Sequence, residues 1–291
     1  MLFKSKLLVA LAVLSFLWID NSWAKSSKNV SKDPLILEPA AYLVKDLDSG
    51  RILFSKNPEI KRPVASLTKL MTAYVYLKNK DSAYRSISIN PSEDVDVIKH
   101  TRTSLKVRAV YDVQELFYLA MVNSNNNATY ALSRSIKGLN REDFVREMNF
   151  SAKYLKMKNS YFEEPTGLSK KNTSTAKDLM NLVESTFRIE ELNQVASVSR
   201  VLSLGSEGSS RYFKNTNFLV TTRKQPLLLS KTGYTREAGF NVLFVTEPSS
   251  CGNKKYAFVV LGAVNKESRK FFVEQKLRKL NCLVEQRVIR S

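Results

Sequence analysis

Histidine and cysteine are scarce in this chain, which has 1 histidine and 2 cysteines among 291 residues. His100 lies in a mostly polar stretch that nothing connects to a nucleophile, which argues against a Ser-His-Asp triad. The sequence also lacks a cluster of residues with metal-ligand spacing and a phosphate-binding loop. We therefore predict no metal and no cofactor.

The two cysteines either form a disulfide or remain free thiols. Cys251 lies at the tip of a predicted hairpin, and the strand Tyr256–Val264 leads into a helix that runs from Lys266 to about Cys282. A helix that returns along the strand ends near the point where the strand began. An oxidising compartment permits the pair, so a Cys251–Cys282 disulfide is predicted, with two buried thiols as the alternative.

Long apolar runs are also absent beyond the N-terminus. Residues 7–19 are apolar except for Ser15, two lysines precede them, and small residues surround Ala24. This run is shorter than the roughly 20 residues of a spanning helix. We predict a signal peptide at 1–24 and a leader at 25–40, with a membrane anchor as the alternative. The mature protein is then exported to the periplasm or cell envelope.

Acidic residues are few relative to basic ones, at 27 against 46, which gives a net charge of +19. Such a field attracts polyanions, and nucleic acid is the usual candidate. Export argues against nucleic acid and favours cell-wall carboxylates or anionic envelope polymers, which fits peripheral association with the envelope. Solubility alone is an equally good explanation of the charge.

Hydrophobic patterning predicts strands near both ends of the chain. Alternation in Ala41–Leu47 and Arg51–Ser55 indicates a hairpin. Strands return at Pro226–Ser230, Asn241–Thr246 and Tyr256–Val264, before the closing helix.

The middle of the chain has mainly helical patterns. A helix is predicted to begin at Ser66. Asp112 with Glu115, and Thr175 with Asp178, have the spacing of capping boxes at two later helix starts.

Strands at both ends with helices between them predict an α+β fold. The antiparallel sheet is built from both termini and flanked by helices, with an inserted helical lobe at about 82–212. We assign 41–284 to one catalytic domain and 285–291 to a tail. The active site is expected where the lobes meet.

Ser66 and Lys69 supply a candidate nucleophile and base. At positions i and i+3 of a helix they share one face, so the amine can reach the hydroxyl. Desolvation and a second cation, Lys231, should lower the pKa of Lys69 from about 10.4. A helix start at Ser66 also directs backbone N–H groups at the reacting carbonyl.

Two further motifs add polar groups in chain order. Ser124 could relay a proton to a leaving amine, while Asn126 could orient Lys69 or hold substrate backbone. Lys231 and Thr232 suit a substrate carboxylate at the exposed end of a strand. Gly233 removes a side chain there, so an extended peptide could add to the strand edge. Together the motifs predict a serine acyl-transfer site.

The residues around these motifs resemble the low-molecular-mass penicillin-binding proteins, the D-alanyl-D-alanine peptidases. The resemblance covers roughly residues 41–284 and implies a β-lactamase/transpeptidase-like fold. The matching stretches are RPVASLTKLMTA at 62–73, EPTGLS at 164–169, Asn172 with STA at 174–176, KTGYT at 231–235, and Ala238-Gly239.

This resemblance implies that a D-Ala carbonyl in peptidoglycan stem peptides or crosslinks acylates Ser66 and that water then hydrolyses the ester. Lys69 carries over as the base, Ser124 and Asn126 as the second motif, and Lys231 as the third. Covalent inhibition by β-lactams is implied as well.

The backbone N–H groups of Ser66 and Tyr234 would form the oxyanion hole. Asn125 departs from the glycine or aspartate of many carboxypeptidases, so substrate preference stays open. The segments 215–217 and 164–169 resemble the D,D-endopeptidase branch, the penicillin-binding protein 7 type. Carboxypeptidases of the family usually continue into a β-rich domain and an amphipathic helix, and the chain stops soon after its closing helix. We therefore expect an endopeptidase, with a carboxypeptidase as the alternative.

Two other classes remain as rivals. A class A β-lactamase needs a Glu-x-x-Leu-Asn arrangement, which residues 164–169 do not match, so slow release of bound penicillin is predicted. A wall-binding or sensor protein without turnover is the non-enzymatic rival. The Ser66→Ala variant should abolish the activity of an enzyme but leave the biological role of a binding protein intact.

Overall fold

A computed structural model describes residues 37–98, 104–204, 210–222, 226–248 and 252–288. The predicted signal peptide, most of the leader, His100 and Cys251 lie outside the described residues. The predicted Cys251–Cys282 pairing therefore lies outside them as well.

Strands and helices are interspersed along the described chain. The strands are β1 (Ala41–Asp46), β2 (Ile52–Lys56), β3 (Arg62–Pro63), β4 (Ser86–Ser88), β5 (Val110–Asp112), β6 (Thr173–Ser174), β7 (Arg200–Ser203), β8 (Arg211–Lys214), β9 (Leu227–Thr235), β10 (Gly239–Thr246) and β11 (Tyr256–Ala263). The helices are α1 (Thr68–Lys78), α2 (Val113–Tyr118), α3 (Asn126–Ser133), α4 (Arg141–Tyr154), α5 (Ala176–Thr186), α6 (Glu190–Ala196), α7 (Phe218–Thr221) and α8 (Lys266–Val288).

A five-stranded antiparallel sheet in the order β2-β1-β11-β10-β9 joins the two ends of the chain. The predicted hairpin forms its β1–β2 edge, and β10 and β11 lie close to their predicted positions. Strand β9 is the other edge. The prediction that both termini build the sheet is confirmed.

The two faces of the sheet are covered by different helices, because successive side chains of a strand point in opposite directions. On one face, Leu43, Leu243 and Val259 pack into the larger core with α1, α2, α3 and α5. On the other face, Val44 and Phe258 pack with the apolar side of α8. The sheet is therefore the middle layer of the described fold.

The predicted capping residues begin their helices, but the reciprocal contacts differ. Asp112 accepts from the Gln114 N–H, while the Glu115 carboxylate accepts from Ser203 and Leu204 of the β7 region. Thr175 likewise accepts from the Asp178 N–H, and the Asp178 carboxylate binds residues 159 and 160. The carboxylates of Glu115 and Asp178 therefore make tertiary hydrogen bonds, because each faces donors of a neighbouring segment.

A complete capping box occurs at α4, where sequence reasoning had not placed one. Asn140 accepts from the Asp143 N–H, and Asp143 accepts from the Asn140 N–H. Reciprocal bonds of this kind satisfy two donors at a helix start.

Candidate active site

Ser66 lies in a single 3-10 turn, Ala65–Leu67, directly before α1. The prediction that the α-helix itself begins at Ser66 is therefore wrong by two residues. Ala65 has a φ of 49°, a left-handed value that alanine rarely adopts. This conformation turns the chain sharply and leaves the Ser66 side chain partly exposed at the helix entrance.

Lys69 is one turn further on and almost completely buried, at 1% exposure. Its Nζ lies 3.0 Å from Ser66 Oγ, 2.7 Å from Asn126 Oδ1 and 2.7 Å from the Thr166 carbonyl oxygen. Asn126 Oδ1 and the Thr166 carbonyl oxygen can only accept hydrogen bonds. A neutral amine has two N–H groups for those acceptors and one lone pair left, which the geometry directs to the Ser66 hydroxyl.

Burial lowers the pKa of Lys69 from 10.5 to about 7, and the negative charge of Glu164 opposes this shift. The predicted direction holds, with desolvation as the cause. The repulsion between cations acts at Lys231, whose pKa is lowered well below its ordinary value by burial and then by Lys69 and Arg269. A base with a pKa near neutrality is the state that general-base catalysis needs.

The second motif lies at the junction of a π-helical turn, Leu119–Asn123, and α3. Ser124 has a left-handed φ of 63°, which separates the two helical segments. Asn125 is buried and caps α3, with its side-chain Oδ1 accepting from the Ala128 N–H. Asn125 is therefore a structural residue, whereas its neighbour Asn126 binds Lys69.

The third motif lies inside β9, so the prediction that it occupies the exposed end of a strand is wrong. Lys231 is 1% exposed, and its Nζ donates to the Thr232 carbonyl at 2.9 Å. Thr232 Oγ1 lies 2.5 Å from Thr216 Oγ1. Strand β9 stays paired with β10 as far as Thr235, which lies opposite Gly239.

Gly233 permits a close approach between β9 and the turn that carries Ser66. A Cβ at this position would lie 2.9 Å from the Ser66 backbone nitrogen and 3.1 Å from the Val64 carbonyl oxygen. The missing side chain therefore faces the nucleophile's own turn, which differs from the predicted reason, space for a substrate beside the strand.

These segments surround a cavity of about 390 Å³. Its lining residues are Ser66, Ser124, Thr216, Thr232, Gly233, Tyr234, Phe240, Lys266 and Arg269. The structure thus brings Ser66 and Ser124 to one cavity with Thr232, Gly233 and Tyr234, while Lys69, Asn126 and Lys231 are not among its lining residues. Among the described residues, no group of three histidine, cysteine or acidic residues could hold a metal ion.

Arg269 is a cavity residue that sequence reasoning missed. It is 6% exposed, Nη1 donates to the Asn241 carbonyl at 2.9 Å, and Nε has no hydrogen-bond partner in the described part of the chain. Burial lowers its pKa to about 10. A signal existed, because Arg269 shares the apolar side of the closing helix with Phe272 and Val273, where a charge is unexpected.

The turn at 163–169 supports the site, although its sequence indicates only a family resemblance and no site role. The Glu164 carboxylate accepts hydrogen bonds from the Thr166 N–H and hydroxyl, the Gly167 and Ser169 N–H groups and the Tyr130 hydroxyl. These donors hold the turn so that the Thr166 carbonyl meets Lys69. Burial and then Glu164 raise the pKa of Tyr130, which keeps its hydroxyl protonated as a donor.

We expect Glu164→Gln to slow acylation of Ser66 about 10- to 100-fold with little change in KM, because misplacing an orienting group costs rate more than ground-state binding. The lost negative charge should also lower the pKa of Lys69 further, so the pH midpoint of acylation moves down. Acylation by a fluorescent penicillin, followed from pH 5 to 9, measures both effects.

Glu163→Gln is the matched control, because the Glu163 carboxylate is bonded to Lys171 and Ser169 and, among the described residues, forms no hydrogen bond with Thr166 or Gly167. Equal losses in the two variants, without a shift of the pH midpoint for Glu164→Gln, would contradict a positioning role for Glu164.

Solved structures share this fold. Streptomyces K15 DD-transpeptidase has a TM-score of 0.75 at 23% identity, over 85% of this chain and 98% of that chain. D-alanyl-D-alanine carboxypeptidase of Mycobacterium tuberculosis has a TM-score of 0.70 at 22% identity, over 82% and 88%. At these identities the likeness establishes the fold, that of the DD-transpeptidases and carboxypeptidases, and confirms the predicted α+β class.

Curated relatives are more similar in sequence. A D-alanyl-D-alanine endopeptidase of Haemophilus influenzae is 33% identical over 83% of this chain and 82% of that protein. One of Escherichia coli is 30% identical over 83% and 76%. A family match to D-alanyl-D-alanine carboxypeptidase, peptidase family S11, covers residues 27–265. The chain therefore belongs to this family of serine D,D-peptidases, as its motifs predicted.

Proposed function

We propose that the protein is a D,D-endopeptidase that hydrolyses D-alanyl crosslinks of peptidoglycan through an acyl-enzyme on Ser66. The observation that carries this proposal is the contact of the buried Lys69 amine with the Ser66 hydroxyl at 3.0 Å, beside an open cavity. The relatives named endopeptidases favour crosslinks over terminal D-Ala as the substrate. A carboxypeptidase is the alternative, favoured by further relatives of that name.

Acylation would begin when neutral Lys69 takes the Ser66 hydroxyl proton and Oγ attacks the D-Ala carbonyl carbon. The backbone N–H groups of Ser66 and Tyr234 would stabilise the oxyanion. Collapse breaks the C–N bond, and the leaving amine takes the proton held by Lys69, with Ser124 as the relay. Water then attacks the ester and restores the Ser66 hydroxyl.

The other cavity residues suit the carboxylate that neighbours the scissile bond. Thr232 and Arg269 line the cavity, and Lys231 lies directly behind them. An arriving carboxylate favours the charged form of Lys231 and offers the unpartnered Arg269 Nε an acceptor. The edge position of β9 leaves room for an extended peptide to pair along it.

We further propose that the catalytic domain is residues 41–284, with the helical lobe at about 82–212, and that it acts after export, in the periplasm or envelope. None of the described helices has the length and apolarity of a membrane span. β-Lactams would acylate Ser66 in place of the D-Ala carbonyl. Their release should be slow, because the Glu164 carboxylate is already hydrogen-bonded to several donors and does not line the active-site cavity.

Incubation of the mature protein with a crosslinked muropeptide dimer and, separately, with a pentapeptide monomer tests the function. We expect mass spectrometry to find monomers released from the dimer faster than D-Ala is released from the pentapeptide. The Ser66→Ala variant should be inactive in both assays.

Release of D-Ala alone would replace the endopeptidase with the carboxypeptidase. Activity that survives in Ser66→Ala would refute the acyl-enzyme mechanism, and a wild-type protein inactive on both substrates would favour a wall-binding role.

A further inference from the structure

A second cavity lies on the outer side of α4, away from the residues of the active-site cavity. It has a volume of about 650 Å³, larger than that of the active-site cavity. Its lining includes Arg146, Phe150 and Lys153 of α4, together with Lys158 and Tyr161 of the segment that follows the helix. Residues 146, 150 and 153 lie on one stripe of α4, because they are spaced by about one helical turn.

The charge of this second cavity is of one sign. Three cations, Arg146, Lys153 and Lys158, line it, and no carboxylate does. Arg146 is paired with Asp143, whereas Lys153 and Lys158 form no ion pair within the described residues. Two unpaired cations in one concave surface attract an anionic ligand.

Aromatic rings provide the apolar part of the same surface. Phe150 is 60% exposed and Tyr161 is 49% exposed. The Lys78 ammonium, which is paired with Glu147, lies 6.0 Å from the centre of the Phe150 ring. Exposed rings in a cavity with convergent polar groups are typical of a ligand site.

We propose that this second cavity binds the glycan strand of peptidoglycan, separately from the site that cuts its peptides. The apolar faces of pyranose rings suit Phe150 and Tyr161. The free carboxylates of stem peptides carried along the strand, or the lactyl carboxylates where a stem peptide has been removed, suit Lys153 and Lys158. The choice of this glycan rests on the proposed function. An anionic lipid surface or a protein partner is the alternative. Neither would stack repeated sugar rings on the two aromatic side chains.

The second cavity is joined to the catalytic residues by a short segment. Asn149 of the cavity exchanges two hydrogen bonds with the Phe162 backbone, at 2.9 and 2.7 Å. From Tyr161 to Thr166, whose carbonyl contacts Lys69, the chain can span at most about 18 Å. A strand held in the cavity therefore keeps its stem peptides close to Ser66 and raises their effective concentration there.

Glycan strands stripped of their stem peptides by an amidase test the proposal, because they carry sugars and lactyl carboxylates but no D-Ala bond. We expect the mature protein to bind them, and Phe150→Ala or a Lys153→Gln/Lys158→Gln double variant to weaken binding about tenfold. Cleavage of intact sacculi should fall by a similar factor, while cleavage of the soluble dimer stays unchanged.

The matched control is Arg278→Gln/Lys279→Gln, which removes the same charge from exposed positions of α8, the helix on the opposite face of the sheet. Equal binding by all variants, or equal weakening by the control, would overturn the proposal. Loss of binding to anionic phospholipid vesicles, without loss of strand binding, would assign the surface to lipid. If the wild-type protein does not cleave the dimer, the proposed function fails independently of strand binding.

Discussion

Replacement of Lys69 by methionine is expected to slow acylation of Ser66 by about 10²- to 10⁴-fold, the range for loss of a general base. Methionine fills a similar volume but has no lone pair that can take the Ser66 proton. The Asn126 and Thr166 oxygens also lose their donor. Stopped-flow acylation by a fluorescent penicillin gives the rate constant directly.

The pH dependence separates a base from a merely structural lysine. Because the pKa of Lys69 is lowered to about 7, its neutral form is scarce below that pH and dominant above it. We expect the wild-type acylation rate to rise with pH and to level off above about 7, and the residual rate of Lys69→Met to lack this step.

Lys78→Met serves as the control, since Lys78 lies at the exposed end of the same helix. It should leave both rate and pH profile unchanged. A wild-type rate that is flat between pH 5 and 9 would remove Lys69 from the role of base.

Replacement of Gly167 by alanine is expected to have the second large effect, a loss of about 10²-fold in acylation rate. Gly167 has a φ of 86°, and a Cβ there would lie 1.9 Å from the Ala65 carbonyl oxygen. Backbone atoms cannot move aside as a flexible side chain does. The turn must shift, and the Thr166 carbonyl moves away from Lys69.

Gly138→Ala is the matched control for backbone strain alone. Gly138 has a φ of 78°, and its added Cβ would meet no atom within 4 Å. We expect it to lower the free energy of unfolding by about 1 kcal/mol and to leave acylation unchanged. Gly167→Ala should cost more stability in thermal unfolding as well as activity. Equal effects in the two variants would show that close approach to Ala65 is unimportant.

Local patterns in the sequence were enough to predict much of the fold. The hairpin of β1 and β2, the strands β10 and β11, and the closing helix each follow from periodicity within a few residues. The caps at Asp112 and Thr175 form for the same reason, because each side chain bonds an N–H two or three positions away. Such interactions depend on neighbours in the chain.

The sequence by itself also indicated the candidate nucleophile and base. Lys69 reaches Ser66 because residues three apart share a helical face, and this contact requires only one turn of backbone. The scarcity of histidine had already argued against a Ser-His-Asp triad. The family resemblance then predicted that a protein with these motifs is a D,D-peptidase.

Only the tertiary structure decided how those groups are held and tuned. The Thr166 carbonyl is 97 residues from Lys69 in the chain, and Asn126 is 57 residues away. Arg269 reaches the cavity from α8, and the third motif is buried within β9 because β10 pairs along it. Contacts between distant segments, and the desolvation that lowers the pKa of Lys69, arise from packing of the whole domain, which no short stretch of sequence encodes.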